Sequence, residues 1–187
     1  MGRLILINGA PATGKSTLAR RYADEHPLTL VLDIDRVRSM LGRWPEAPVE
    51  AGKLARALAL EMARVHLTAG HDVLVPQLLG QLPYVEELDR LARETRTHFV
   101  EIALLATSRA EAAARFHRRS DRDERPSHRD AQVLAQQSPD VGQLLADYYD
   151  AVLGVVENRP GTHTLTTVDG QLDQAYAALL SCLDATH

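Results

Sequence analysis

The sequence has little cysteine and no long hydrophobic run, and each absence excludes a common class of protein. Its single cysteine, Cys182, cannot form an internal disulfide, so nothing indicates an oxidising compartment. No segment approaches the roughly 20 apolar residues that a membrane-spanning helix needs. The apolar run at 4–7 is far shorter than the hydrophobic region of a signal peptide. We therefore expect a cytoplasmic protein with no membrane partner.

An excess of positive charge is also missing. The formal net charge is −4 at pH 7 over 187 residues, whereas a broad nucleic-acid surface needs clustered basic side chains. The charge argues against such a surface, although a local basic groove stays open. The chain is long enough to bury a sizeable core and contains no linker-like tract, so we predict a single domain over residues 1–187.

Strand and helix signals alternate along the whole chain. Five apolar runs are typical of strands buried on both faces: 3–8, 29–34, 71–76, 98–105 and 163–168. Helical patterns lie between them. Leu54, Leu58, Met62 and Val65 recur at helical spacing, and Gly70 follows as a C-terminal cap. Five strands with intervening helices predict an α/β fold whose parallel sheet is covered on both faces.

Lysine is nearly absent, and this draws attention to where it remains. Only Lys15 and Lys53 occur, beside nineteen arginines. Lys15 completes a Gly-x-x-x-x-Gly-Lys-Ser motif between an apolar run and a helical segment, the context in which this motif binds phosphate. Glycines let backbone N–H groups point at phosphate oxygens, and a helix N-terminus favours the anion. The predicted nucleotide contacts are Gly9, Ala10, Pro11, Ala12, Thr13, Gly14, Lys15, Ser16 and Thr17.

Each polar side chain of the motif has a chemical reason to be there. The compact ammonium of Lys15 can follow a phosphoryl group as it is transferred, which a planar guanidinium does less well. The hydroxyl of Ser16 can ligate Mg²⁺. We therefore predict a catalytic role for Lys15 and a metal-binding role for Ser16.

Two aspartates and an arginine follow the second apolar run, in the sequence Leu-Asp-Ile-Asp-Arg-Val-Arg. Ligands of open parallel sheets bind beyond the carboxyl ends of strands, and Asp33 and Asp35 would share a face if the strand continued. Phosphoryl transfer to a hydroxyl needs a carboxylate to accept the proton and cations to hold the charge. Asp35 is the candidate base and Arg38 its cationic neighbour. The alternative is that Asp35 only caps the next helix.

These residues together resemble a known family. The segment Gly9–Ser16 followed by Asp35-x-x-Arg38 is similar to the P-loop kinases that include chloramphenicol phosphotransferase, zeta toxins and polynucleotide 5′-kinases. The resemblance implies a three-layer P-loop NTPase fold, with a five-stranded parallel sheet in the order 2-3-1-4-5 flanked by helices. It also implies ATP and Mg²⁺ as cofactors and an aspartate that activates the acceptor hydroxyl. In similar kinases the adenine rests on backbone after the fifth strand, here residues 166–170 with Asp169 as the candidate contact; the alternative for this segment is a turn that needs Gly170.

The third apolar run ends in Pro76-Gln77, where many P-loop enzymes have an acid that supports Mg²⁺. Asp72 cannot replace it, because five residues of strand place it roughly 16 Å away at the other end of the sheet. Asp33 is the candidate second metal ligand. Gln77 either holds a water molecule or faces the acceptor, and the sequence leaves both open. The strand is similar to that of tunicamycin-resistance proteins, which also lack the acid.

An arginine-rich stretch occupies residues 118–130. Such charge runs are commonly solvated surface helices, but similar kinases have a mobile lid here, whose arginines close over the triphosphate. The resemblance implies that Arg119 and Arg122 clamp phosphate and that Arg115 contacts the nucleotide.

The function that these residues favour is an ATP-dependent transfer of the γ-phosphate to a hydroxyl of a small molecule, such as a nucleoside, a sugar nucleotide or an antibiotic. One alternative is a polynucleotide 5′-hydroxyl kinase, favoured by Asp35-x-x-Arg38 and opposed by the acidic net charge. Another is a switch that binds and hydrolyses nucleotide without any acceptor. The expected partners are ATP and a small hydroxylated substrate.

Overall fold

The computed structural model describes residues 2–120 and 140–185. Its strands are β1 Arg3–Gly9, β2 Leu30–Val31, β3 Val73–Gln77, β4 His98–Ala106 and β5 His163–Thr167. Its α-helices are α1 Lys15–Glu25, α2 Ile34–Ser39, α3 Pro48–Thr68, α4 Leu82–Thr95, α5 Arg109–Ser120, α6 Val141–Glu157 and α7 Leu172–Asp184, with a 3₁₀ turn at Trp44–Glu46. Within the described ranges, no helix has the length and apolar content to cross a bilayer. The predicted lid lies outside these ranges from residue 121 onward.

The strands form one parallel sheet in the order β2-β3-β1-β4-β5. Strand β1 lies at its centre, paired with β3 on one side and β4 on the other. A central strand is buried on both faces, which explains why residues 4–7 are uniformly apolar and fully buried. The predicted fold class and strand order are confirmed.

Successive residues of β1 point to opposite faces of the sheet and so belong to two separate cores. Leu4 and Leu6 pack in a cluster with side chains of α2, α3 and α4. Ile5 and Ile7 pack in another cluster with side chains of α1 and α7. Two apolar layers with helices outside them make the three-layer arrangement.

The apolar residues that indicated α3 do not form its buried face. Leu54, Leu58, Met62 and Val65 are all exposed, between 39% and 71%. The helix buries a row of small residues instead, because alanine lets the backbone of α3 approach its neighbours closely. The buried row is Ala51, Ala55, Ala59 and Ala63, continued by Leu67. The helix ends as predicted: Gly70 has φ 90° and its N–H donates to the carbonyl of Leu67 at 2.9 Å.

The second strand is shorter than the predicted 29–34, because a helix begins before that segment ends. The side chain of Asp33 accepts hydrogen bonds from the backbone N–H groups of Asp35 and Arg36 and thereby caps α2. Asp33 and Asp35 therefore do not share a strand face. Asp35 lies in the first turn of α2, and the alternative that Asp35 itself is the cap is also wrong.

Candidate functional site

The loop between β1 and α1 bends sharply, and two glycines permit it. A side chain at Gly9 would place its Cβ 2.5 Å from the carbonyl oxygen of Leu104 on β4, so this position needs glycine. Gly14 has φ 97° and precedes α1; its carbonyl accepts hydrogen bonds from the N–H groups of Thr17 and Leu18, both at 3.0 Å. The backbone of the loop therefore leads directly into the N-terminus of α1, where anions bind favourably.

Lys15 folds back over this loop. Its ammonium donates to the carbonyl oxygen of Ala10 at 2.8 Å, and the hydroxyl of Thr13 donates to the same oxygen at 2.9 Å. Ser16 follows Lys15 in the first turn of α1. The ammonium thus reaches back from the start of α1 to the first residues of the loop.

Asn8 is a supporting residue that the sequence reasoning missed. It is 1% exposed; its Nδ2 donates to the carbonyl of Leu79 at 2.9 Å, and its Oδ1 accepts from the N–H groups of Leu79 and Gly9 at 2.9 and 2.8 Å. These bonds tie the segment after β3 to the start of the phosphate loop. A lone amide at the end of an apolar run was the available signal.

Asp35 has a polar partner on each carboxylate oxygen. Its Oδ1 lies 3.1 Å from Nη2 of Arg38, and its Oδ2 accepts from Nε2 of Gln77 at 3.4 Å. The guanidinium carbon of Arg38 lies 4.6 Å from the centroid of the Trp44 ring, a cation–π distance. The Asp35 side chain keeps 28% exposure, so solvent or a ligand can reach this carboxylate.

Strand pairing places this group beside the phosphate loop. Gln77 at the end of β3 pairs with Asn8 of β1, the residue immediately before Gly9. Asp35, Arg38 and Gln77 therefore lie at the carboxyl edge of the sheet, where ligands of this fold class bind. Asp72 lies at the opposite edge, as predicted, 2.9 Å from the guanidinium of Arg3.

The environment of Asp33 differs from that of Asp35. Asp33 is 6% exposed, and its Oδ1 accepts from Asp35 N at 3.0 Å and from Arg36 N at 3.4 Å. Burial, and secondarily the charge of Asp35, raises the pKa of the Asp33 carboxyl. One of its two oxygens is thus used by the helix cap, which leaves Oδ2 for any metal role.

A cavity of about 360 Å³ adjoins the phosphate loop on the side of β5, away from β3 and Asp35. Its walls come from the loop, the start of α1, the side of α5 and the segment that follows β5. The polar residues among those that line it are Thr13, Thr17, Arg115, Arg118, Thr167, Asp169 and Gln171. Both predicted nucleotide contacts outside the loop, Arg115 and Asp169, line this cavity.

Arg115 is fixed in the cavity wall. It is 6% exposed, and its guanidinium donates to Oγ1 and the carbonyl oxygen of Thr167 at 2.9 and 2.7 Å and to Glu111 Oε1 at 2.9 Å. The hydrogen bond from Arg115 is the main reason that the pKa of Glu111 is lowered. Arg118 lies at the rim, 3.1 Å from the carboxylate of Asp169. A rigid guanidinium plane and a polar rim suit a flat heterocycle.

Two predicted phosphate clamps have no described side-chain geometry, and no metal cluster accompanies the predicted metal ligands in the part of the chain that the structure describes. Arg119 belongs to α5, but its side chain is not among those described, and Arg122 lies outside the described ranges. The described residues contain no group of three or more His, Cys, Asp or Glu side chains able to hold a metal ion by themselves. Arg119, Arg122 and the metal ligands therefore stay predictions.

Comparison with known proteins now fixes the family. Residues 4–143 match the AAA domain family, a span that contains the phosphate loop, Asp35, Arg38, Gln77 and Arg115. The chain belongs to this AAA domain family. A curated relative, an uncharacterized protein of Mycobacterium tuberculosis, is 35% identical over 117 residues, which cover 56% of this chain and 23% of the relative. The chain thus spans less than a quarter of the length of the curated relatives it matches.

Several solved structures similar to this AAA domain chain are kinases. A candidate kinase from Chloroflexus aurantiacus has a TM-score of 0.67 at 17% identity, covering 100% of this chain and 98% of its own. Shikimate kinase from Acinetobacter baumannii in complex with shikimate has a TM-score of 0.61 at 17% identity, covering 99% and 94%. The Mycobacterium tuberculosis APS kinase in complex with AMPPNP and APS has a TM-score of 0.58 at 16% identity, covering 98% of each chain.

The tunicamycin resistance protein of Deinococcus radiodurans is also similar, with a TM-score of 0.55 at 17% identity over 96% of each chain. At these identities the likeness shows the fold. The predicted resemblance to P-loop kinases is confirmed at that level.

Proposed function

We propose that this AAA domain chain is an ATP-dependent phosphotransferase that moves the γ-phosphate to a hydroxyl of a small molecule, such as a nucleoside, a sugar nucleotide or an antibiotic. The observation that carries the proposal is the accessible carboxylate of Asp35, ion-paired with Arg38 beside the end of β3 and the phosphate loop. The APS and shikimate kinases with this fold act on small hydroxylated molecules, which supports the acceptor class.

The nucleotide would span the loop and the neighbouring cavity. Backbone N–H groups between Gly9 and Thr17 bind the phosphates, and Lys15 exchanges its bond to Ala10 for phosphate oxygens. The base enters the 360 Å³ cavity against Arg115 and near Asp169. Because Arg115 is already held by Thr167, binding requires little reordering of its side chain.

The oxygen donors near the loop suit Mg²⁺, which prefers hard oxygen ligands and retains several water molecules. The hydroxyl of Ser16 is the first proposed ligand, and Oδ2 of Asp33 is the second, since Oδ1 caps α2. Bound with ATP, Mg²⁺ would neutralise part of the phosphate charge.

The acceptor would bind on the Asp35 side of the loop. Asp35 accepts the proton of the acceptor hydroxyl while the hydroxyl oxygen bonds to the γ-phosphorus and the bond from phosphorus to the β,γ-bridging oxygen breaks, releasing ADP. Arg38 orients the carboxylate through its 3.1 Å contact and is itself held against Trp44. Arg119 and Arg122 are proposed to hold the charge of the transferred group, as the family resemblance implies.

A phosphate-transfer screen tests the proposal. Wild-type protein, ATP and Mg²⁺ are incubated with nucleosides, aminoglycosides, chloramphenicol-like compounds, sugar nucleotides and 5′-hydroxyl oligonucleotides, and products are identified by mass spectrometry. We expect a phosphorylated small molecule that disappears with Asp35→Asn and persists with Asp24→Asn, an exposed aspartate of α1. Phosphorylation of oligonucleotides alone would favour the polynucleotide kinase. ATP hydrolysis that no compound alters would favour a switch.

A further inference from the structure

The nitrogen of the Gln77 carboxamide has a hydrogen-bond partner, whereas its oxygen has none among the described residues. Its Nε2 donates to Oδ2 of Asp35 at 3.4 Å, whereas its Oε1 is buried and has no hydrogen-bond donor in the described part of the chain. Buried polar atoms without a partner are uncommon in folded proteins and call for an explanation. A bound ligand that donates a hydrogen bond to Gln77 Oε1 would explain this atom.

The chemistry of Asp35 fixes the orientation of this amide. An ionised carboxylate only accepts hydrogen bonds, so the nitrogen of the Gln77 amide must face Asp35 and the oxygen must face away. Reversing the amide would place two acceptors together. Gln77 Oε1 therefore keeps its lone pairs for a donor from a third group near Asp35, and that group has to displace the side chains that cover this buried atom.

The two acceptors are close enough to be reached by one small molecule. The nitrogen and oxygen of a carboxamide are about 2.2 Å apart, so Gln77 Oε1 lies no more than about 5.6 Å from Oδ2 of Asp35, given the 3.4 Å hydrogen bond. Two donors on adjacent carbons can span this interval when each makes a hydrogen bond of ordinary length, about 2.7–3.0 Å.

We infer that Gln77 selects acceptors that have a second hydrogen-bond donor next to the reactive hydroxyl, that is, vicinal diols or vicinal amino alcohols. The reactive hydroxyl donates to Asp35 and the neighbouring hydroxyl or amine donates to Gln77 Oε1. An acid in this place would add a second negative charge beside Asp35, whereas the neutral amide accepts the donor without that repulsion. The inference rests on the proposed function and names the substrate class of the same site.

The test compares matched acceptors in wild-type protein and in Gln77→Met, which keeps the length of the side chain and removes its amide. The probes are ribonucleosides with their 2′-deoxy and 3′-deoxy counterparts, and hexopyranosides with their monodeoxy counterparts. We expect wild type to prefer the diol by at least about tenfold in kcat/KM, since an unpaired buried acceptor penalises the deoxy compound. In Gln77→Met this preference should fall below about threefold. Gln174→Met, on the exposed face of α7, should keep it.

The ratio separates contact with substrate from a structural effect. If Gln77→Met slows diol and deoxy compounds equally, Gln77 acts through Asp35 or through the metal, and the inference is wrong. Equal wild-type rates for diol and deoxy compounds would overturn it as well. Wild-type protein that phosphorylates only a compound without a vicinal donor would overturn the inference and leave the proposed function standing. Wild-type protein that binds ATP but phosphorylates no compound of the wider screen would contradict the proposed function, and the inference with it.

Discussion

Asp35 and Arg38 lie one turn apart on α2 and are joined by an ion pair of 3.1 Å. Asp33 caps the helix, which therefore begins at Ile34 and puts both side chains on one helical face. This placement explains the short distance between the two charged groups. Arg38 is further held against Trp44. Asp35, four places after the end of β2, is thus an oriented carboxylate at the edge of the sheet, and this orientation underlies the proposed chemistry.

Lys15→Ala should abolish turnover and weaken ATP binding, because backbone N–H groups alone do not balance the charge on the β- and γ-phosphates. Stability should change little, because Lys15 stands at the start of α1 beside the phosphate loop and belongs to neither apolar core. The chain offers a matched control in Lys53→Ala, its only other lysine, which is 68% exposed on α3. Isothermal titration calorimetry with ATP measures the affinity of each variant, and a thermal melt measures its stability. Full activity in Lys15→Ala would remove the loop from the mechanism.

Substitutions at Asp33 separate its role as the N-terminal cap of α2 from its proposed role as a metal ligand. Asp33→Ala removes the acceptor for two backbone N–H groups and should cost about 0.5–2 kcal/mol in the free energy of unfolding. Asp33→Asn keeps a capping oxygen and should be at least as stable as wild type near pH 7. The reason is that burial raises the pKa of Asp33, so its ionised form costs stability above that pKa. Urea unfolding measures both effects.

The metal role is checked in the same Asp33→Asn protein. If Oδ2 ligates Mg²⁺, the concentration of Mg²⁺ needed for half-maximal ATP turnover should rise although the fold is intact. An unchanged Mg²⁺ requirement would take Asp33 out of the proposed ligand set and leave Ser16.

Asp72 provides a stability prediction at the edge of the sheet opposite the site. Burial acts to raise its pKa, but hydrogen bonds from Tyr22, at 2.6 Å, and from Arg3 outweigh it, and the pKa is lowered. Such a carboxylate stabilises the fold above its unfolded pKa of about 3.9, and this stabilisation is lost as the pH falls through the lower folded pKa. Asp72→Asn should therefore lose about 1–3 kcal/mol at pH 7 and show a weaker loss of stability on acidification.

Urea titrations between pH 7 and pH 3 check the Asp72 prediction, with Asp24→Asn as a surface control. Phosphate transfer at pH 7 should be unchanged, because Asp72 and Arg3 lie at the amino edge of the sheet. A stability profile of Asp72→Asn that is parallel to wild type over this range would refute the linkage.

The phosphate loop was predictable because its chemistry depends on local spacing. It is recognised from glycines at fixed positions followed by a lysine and a serine. The buried strand before it is recognised from one apolar run. The strand order came with the family resemblance, since order is a property of tertiary packing that five similar apolar runs do not distinguish.

The remaining features depend on contacts between distant residues. The buried face of α3 does not follow from the sequence pattern, because leucine and methionine give a stronger apolar signal than the alanines that are buried. The end of β2 was misplaced because the side chain of Asp33 competes with the strand for backbone N–H groups. The sequence does not place the amide of Gln77, because this amide contacts Asp35, 42 positions earlier in the chain.

The fate of labelled γ-phosphate in Asp35→Asn tests the central claim most directly. Wild type, Asp35→Asn and Asp24→Asn are each mixed with γ-labelled ATP, Mg²⁺ and the acceptor found in the screen, and the label is followed into product and into free phosphate. The account predicts label in the acceptor for wild type and Asp24→Asn. For Asp35→Asn it predicts transfer slower by roughly 10²–10⁴ with ATP affinity largely kept. Normal transfer by Asp35→Asn, or label released only as free phosphate at a rate that no acceptor changes, would contradict it.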